Sequence, residues 1–365
     1  MNRKDDYYRE EKSLLENVSQ AFPFVTVVMP IRDEGAFIPR SLSAVLKQDY
    51  PRDRMEVIVA DGMSTDGTRE IVLDLQSQHP ELRLIDNHGL IVSTGLNAAI
   101  AQARGEIIVR VDGHTVIASD YVRQCVSGLL QTEADNVGGK MTTIGSGLFG
   151  EAVALATSSP FGVGGARFHY SDQEEWVDTV YLGAWWRHTF QRVGLFDEEL
   201  VRNQDDEFNY RLRKHSGRIL LSPRIKSIYT VRSRPRALWR QYFQYGYWKV
   251  RVLQKHPRQM RLRQSVPSLF VTMLFGSLLL ALFFPIGRAL LVLVVGSYLL
   301  ANLAASVWTA RKRRWRHVLL LPLVFAALHL SYGLGFLVGL IRFWDRWGDT
   351  HTHIQTSNSA SAGGQ

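Results

Sequence analysis

Three long runs without a charged residue fill most of the last hundred positions. They are 266–286, 289–308 and 318–341, of 21, 20 and 24 residues. A helix of roughly 20 apolar residues crosses a bilayer core. Three such runs in succession predict a membrane anchor over 264–345, with transmembrane helices at about 266–286, 289–308 and 318–341. The charge distribution agrees. The chain of 365 residues has a net charge of +9, and 258–365 alone hold eleven Lys+Arg against two Asp+Glu. The first 257 residues are therefore neutral overall, and the basic excess is not the footprint of a nucleic-acid binder. Arg258, Arg261 and Arg263 precede the first run, and Arg311, Lys312, Arg313, Arg314 and Arg316 follow the second; only Arg288 lies between. The positive-inside rule then puts the N-terminal unit in the cytoplasm, at a cell (inner) membrane crossed several times. Arg342, Asp345, Arg346 and Asp349 are expected on the far side. A single cysteine, Cys125, forms no internal disulfide. The acidic start (Asp5, Asp6, Glu10, Glu11) has no apolar run behind a basic end, so no cleavable signal is expected.

Ahead of the anchor the pattern alternates. Apolar runs at 25–29, 56–60, 82–85 and 107–111 read as buried strands. Helical spacing follows at 37–47, 68–78, 96–103 and 121–131. Four strand–helix units predict an α/β fold with a largely parallel sheet and helices on both faces. Ligands of such sheets sit beyond the carboxyl ends of the strands. Those ends carry Arg32, Asp33 and Glu34, then Asp61, Ser64 and Asp66, then Asp112 and His114. No GxGxxG or GxxxxGK[ST] loop is present, so a nucleotide diphosphate here needs a metal, and acidic residues suit one.

Taken in order, these segments resemble family 2 glycosyltransferases of GT-A fold, a Rossmann-like architecture for nucleotide-diphospho-sugars. Pro30-Ile-Arg-Asp-Glu34 matches the family's P-x-x-N-E, with Asp33 for Asn. Ala60-Asp61 through Thr68 matches D-D-x-S-x-D-x-T, with Ala60 for the first Asp. The metal motif D-x-D stands as Asp112-Gly113-His114, a variant also found in the succinoglycan glucosyltransferase subgroup. Asn203-Gln204-Asp205-Asp206-Glu207 with Arg211 and Leu212 matches the E-D…R-L segment, Gln204 replacing Glu. The resemblance implies a nucleotide-sugar site of Pro30, Arg32, Glu34, Asp61 and Asp112. It implies a divalent metal, Mn²⁺ or Mg²⁺, on Asp112 and His114. Asp205 becomes the general base, with Asp206 the neighbour if the register shifts by one. Trp185 and Arg187 fall in the family's acceptor segment, and Gln244 and Trp248 at the Q-x-x-R-W spacing of processive synthases.

The expected organisation is an N-terminal arm (1–24), a GT-A domain (25–235), an amphipathic interfacial segment (236–263), the anchor and a disordered tail (346–365). The expected activity is inverting transfer of one sugar, most simply from a UDP-sugar, to a lipid-linked saccharide in exopolysaccharide or capsule assembly, alongside other polysaccharide-assembly proteins. Transfer straight to polyprenyl phosphate, processive synthesis, and a catalytically silent sugar-nucleotide-binding scaffold are the competing expectations.

Overall fold

A computed structural model of the chain describes residues 22–260, 262–313 and 315–347. The expected arm and tail lie outside these residues, apart from 22–24 and 346–347. Strands β1 (Val25–Ile31), β2 (Met55–Asp61), β3 (Leu82–Asp86) and β4 (Ile107–Arg110) form a parallel sheet in the order β3-β2-β1-β4. Helices α1 (Ile38–Leu46), α2 (Thr68–Gln78) and α3 (Val92–Gln102) connect them. Every residue of β1 and β2 is buried, which explains their continuous apolar runs. Alternate side chains supply separate cores on the two faces of the sheet. Val27, Met29 and Val57 pack with Ile38 and Leu42, whereas Val28 and Ile58 pack with Leu96, Ala99 and Phe208.

Beyond β4 the expected parallel sheet becomes mixed. The chain runs through β5 (Thr115–Ile117), α4 (Tyr121–Gln131), β6 (Asn136–Ile144), α5 (Gly147–Thr157) and α6 (Pro160–Val163). β7 (Glu175–Trp176), β8 (Tyr181–Trp186), α7 (Arg187–Val193), α8 (Gln204–Lys214) and β9 (Ile219–Thr230) complete the unit. β8 pairs antiparallel with both β4 and β6, and β6 pairs parallel with β9.

Four helices follow: α9 (Pro235–Lys255), α10 (Leu262–Phe283), α11 (Pro285–Arg313) and α12 (Leu321–Arg342). The last three are long and apolar enough to cross a membrane. α9 and α12 cross through glycines. A Cβ on Gly246 would lie 2.0 Å from the Tyr332 carbonyl, and one on Gly335 would lie 2.0 Å from the Phe243 carbonyl. Such small residues let helix backbones approach closely. The segment read as interfacial is thus largely packed inside the molecule. Lys249, Arg251 and Lys255 are buried on ion pairs with Asp206, Glu199 and Asp197.

Both ends of α12 touch the catalytic unit. Before it, His317 Nε2 lies 3.0 Å from Glu151 Oε2, and Arg316 pairs with the same carboxylate. After it, Arg346 Nη1 reaches Glu199 Oε1 at 3.0 Å, and Gln254 Nε2 donates to the Phe343 carbonyl. Arg346, expected on the far side of a membrane from the unit, here pairs with one of the unit's carboxylates. The side-chain contacts of α12, which no run length reveals, keep both its ends on one body.

Candidate active site

A cavity of about 1780 Å³ opens at the carboxyl ends of β1 and β4. β1 delivers Pro30, Arg32 and Glu34; the turn after β4 delivers Asp112 and His114. The first turn of α8 delivers Asp205 and Asp206, where carboxylates also complement the helix dipole. The first and third expected strand-end sets thus meet Asp205 and Asp206 across more than 170 residues of chain. Asp33, at φ 51°, ties the first loop to the second. Its carboxylate accepts from the Thr65 amide at 2.9 Å, and its amide donates to Ser64 Oγ at 2.8 Å.

At the centre is a residue that the sequence reading passed over. Arg110, 3 % exposed, donates to Asp112 through Nε and Nη2 at 2.8 and 3.2 Å, and through Nη1 to Asp205. A cation closing an otherwise apolar strand run (Ile-Ile-Val-Arg) was the available signal. Burial opposes its charge, but Asp112 and Asp205 outweigh burial and hold its pKa above the ordinary range. Burial raises the pKa of Asp205. Arg110 opposes that shift and the Asp112 carboxylate reinforces it, and the net direction is upward. The 37 % exposure of the Asp205 side chain is toward this cavity. Asp206 also lines the cavity but is engaged by Lys249 at 2.5 Å.

Other expected residues fall elsewhere. Asp61 is fully buried and does not line the cavity. Its carboxylate accepts from Ser64 Oγ at 2.5 Å and pairs with Arg69 at 3.2 Å, so it braces the loop after β2. Trp185 is 2 % exposed among Phe190, Phe196 and Phe208. Arg187 follows Trp186, which pairs with Ile107 at the start of β4. Because β8 runs antiparallel to β4, the acceptor segment ends at the sheet edge opposite the cavity. Gln244 does line the cavity and accepts from Arg202 Nε at 3.2 Å, but Trp248 packs on Phe343.

Residues 26–192 match the family described as Glycosyl transferase family 2. The succinoglycan biosynthesis protein ExoA of Rhizobium meliloti is 31 % identical over 319 residues, covering 87 % of this chain and 95 % of that protein. The chain belongs to glycosyltransferase family 2. A second relative of this glycosyltransferase, from Methanococcus voltae, is 25 % identical over 327 residues, 87 % of this chain and 98 % of its own length. Its name is dolichyl N-acetyl-α-D-glucosaminyl phosphate 3-β-D-2,3-diacetamido-2,3-dideoxy-β-D-glucuronosyltransferase. Among solved structures, a mannosyltransferase of Pyrobaculum calidifontis with GDP-mannose and Mn²⁺ superposes with a TM-score of 0.56 at 22 % identity, over 88 % of each chain. The shared fold is GT-A.

The donor set of this glycosyltransferase suits a divalent ion bound together with a diphosphate. His114 Nδ1 lies 2.9 Å from Glu34 Oε1. A carboxylate on one imidazole nitrogen fixes the tautomer and leaves the other nitrogen as a ligand. Nε2 makes no hydrogen bond among the described residues. No group of three His, Cys, Asp or Glu side chains suited to a metal occurs among the described residues. Asp112 and His114 are the side chains at this end of the cavity that would hold such an ion.

Proposed function

We propose that this glycosyltransferase is an inverting enzyme that moves one sugar from a UDP-sugar to a lipid-linked saccharide at the cytoplasmic membrane face, in exopolysaccharide or capsule assembly. The observation that carries this reading is the cavity itself. It runs from Asp112, His114 and Asp205 to apolar side chains of α10 and α11. A donor from water and an acceptor from a bilayer can meet in it. The names of the two curated relatives, one for succinoglycan biosynthesis and one for transfer to a dolichyl-phosphate-linked sugar, support that acceptor class.

In the reaction an acceptor hydroxyl oxygen forms a bond to C1 of the donor sugar. The bond from C1 to the diphosphate oxygen breaks and its electron pair stays on the diphosphate. The hydroxyl proton passes to an Asp205 carboxylate oxygen. One displacement inverts the anomeric centre. A positioned base gives ~10²–10⁴-fold. The raised pKa of Asp205 makes it a better proton acceptor than an ordinary aspartate, and Arg110 orients it and opposes the upward shift. Asp112 and His114 would hold a divalent ion, whose positive charge would stabilise the departing diphosphate. Glu34 holds the His114 ring, and Pro30 and Arg32 line the nucleoside end.

In this reading α10 and α11 cross the membrane as a hairpin whose tip exposes Phe283, Phe284 and Ile286, and α12 lies along the catalytic unit. The basic residues beside both legs of the hairpin support a cytoplasmic unit. The test is a UDP-sugar screen with membranes containing the protein and mass identification of the product. One added sugar on a lipid-linked glycan is expected. A water-soluble product, a sugar monophosphate lipid or a ladder would each overturn the reading.

A further inference from the structure

The cavity has three chemical zones, and the active-site chemistry uses only the acidic one. The second zone is cationic. Arg232, Arg236 and Arg240 line the same cavity, and their side chains have no ion-pair or hydrogen-bond partner among the described residues. Arg236 and Arg240 stand four apart on α9 and so share one face, where like charges repel. Gln244, four further on, continues that face toward Arg202. Elsewhere on α9 the cations are all but spoken for: Lys249, Arg251 and Lys255 have carboxylates. Exposed arginines on one cavity wall without an ion-pair partner among the described residues can take an anion, and guanidinium forks match phosphate oxygens.

The third zone is apolar and opens sideways. Val266, Leu269 and Met273 of α10 line the cavity and are also 56 %, 57 % and 49 % exposed, so the opening lies between them and the surroundings. Val294 and Tyr298 of α11 also line it, Tyr298 stacked on Phe270 of α10 with ring centroids 4.2 Å apart. A slot beginning at arginines and ending on the outward apolar surface of candidate membrane helices matches a molecule with a phosphate head and a long hydrocarbon tail.

We propose that Arg232, Arg236 and Arg240 bind the phosphate or diphosphate of a polyisoprenyl-linked acceptor, whose chain leaves past Val266, Leu269 and Met273 of α10. This rests on the lipid-linked acceptor reading above and adds its binding site. The arrangement sets the acceptor's phosphate on the basic face of α9 and its sugar toward Asp205. It separates the acceptor's phosphate from the donor's diphosphate, which is assigned to the Asp112–His114 end.

The experiment uses the full chain in phosphatidylcholine nanodiscs, titrated with undecaprenyl phosphate. Saturable binding is expected, with undecaprenol and inorganic phosphate each binding far more weakly. The Arg236→Gln/Arg240→Gln double variant should bind undecaprenyl phosphate about tenfold or more weakly, as lost charged hydrogen bonds imply, while UDP affinity stays within about twofold. Arg236→Lys/Arg240→Lys should recover part of the loss. Met273→Trp should narrow the slot, weakening undecaprenyl phosphate but not a short isoprenyl phosphate. Equal binding of undecaprenol, an unchanged affinity in the glutamine variant, or a parallel fall in UDP affinity would each overturn the site. So would displacement by an excess of phosphatidylglycerol, which would mark a bilayer-lipid patch. A lipid-linked product made equally well by wild type and the glutamine variant would sink the arginine site alone. Absence of any lipid-linked product from wild type would sink the acceptor reading instead.

Discussion

The catalytic face and the helical seam are held together by opposite means. At the face, charges are brought to one point: Arg110 joins Asp112 to Asp205, and Glu34 joins His114. At the seam, backbones meet through Gly246 and Gly335. Between the two, α9 takes part in both, with a glycine facing α12 and Lys249, Arg251 and Lys255 facing carboxylates of the catalytic unit. The face can thus keep acidic groups near one another at a cost in stability. The seam supplies rigid packing that fixes where an apolar acceptor would approach.

The largest expected effect is all-or-none and would break the comparison at its root. Trp347→Cys should be labelled by a membrane-impermeant thiol reagent from the same side as the catalytic unit, because Arg346 sits on Glu199. The native Cys125 is buried and gives little background. Labelling from the opposite side would mean that the seam separates in a membrane. Next is Asp205→Asn, expected to lower kcat by ~10²–10⁴-fold with UDP affinity nearly unchanged. Asp206→Asn should lose less, since that carboxylate is already paired with Lys249. Since the fold disfavours ionised Asp205, its contribution to stability declines as pH rises through its raised pKa. Asp205→Asn should therefore not lower Tm at pH 7, and a Tm loss there would assign the residue to structure. The wild-type rate should fall with acidification at a higher pH than an unperturbed aspartate allows, traced by kcat/KM against pH.

A smaller effect separates seam from face. Gly335→Leu must displace the Phe243 backbone, and overpacking of this kind costs roughly 1–3 kcal/mol. Proteolysis at the start of α12 should accelerate, while UDP binding at the strand ends persists. The smallest effect concerns the joint between them. Burial alone would raise Glu199, but Arg251 and Lys255 hold its pKa down to about 2 from 4.5. Its contribution is present above about 4.5 and fades as pH falls toward about 2. The Tm difference between wild type and Glu199→Gln should shrink over that range. A constant difference would show that charge plays no part in the joint.

Much of the face was legible because each part is local. The β1 and β2 runs, the Pro30–Glu34 turn and the Asp112–His114 pair all follow strand signals that a few residues carry. Asp205 was found by its place before Arg211. Arg110 was missed because a cation inside an apolar run gives no clue to its partners, one of which lies 95 positions away. Trp185 and Arg187 were misplaced for a related reason. Their sequence neighbourhood reads the same whether β8 lies parallel or antiparallel to β4, yet the direction decides which edge they occupy. Asp61 was placed at the right strand end, but a strand end does not tell whether a carboxylate faces a ligand or, as here, Ser64 and Arg69.

By itself the sequence determined that an α/β unit with acidic strand ends precedes three helices too apolar for water. Periodicity and run length are properties of neighbours in the chain, and they settle which faces must be buried. Only the tertiary structure decided what buries them. It laid α12 along α9 in place of carrying its end away from the catalytic unit. It left Arg232, Arg236 and Arg240 lining one cavity without an ion-pair partner among the described residues. Those outcomes depend on steric fit and electrostatic pairing between residues tens to hundreds of positions apart, where the glycines at 246 and 335 allow an approach that no local pattern specifies.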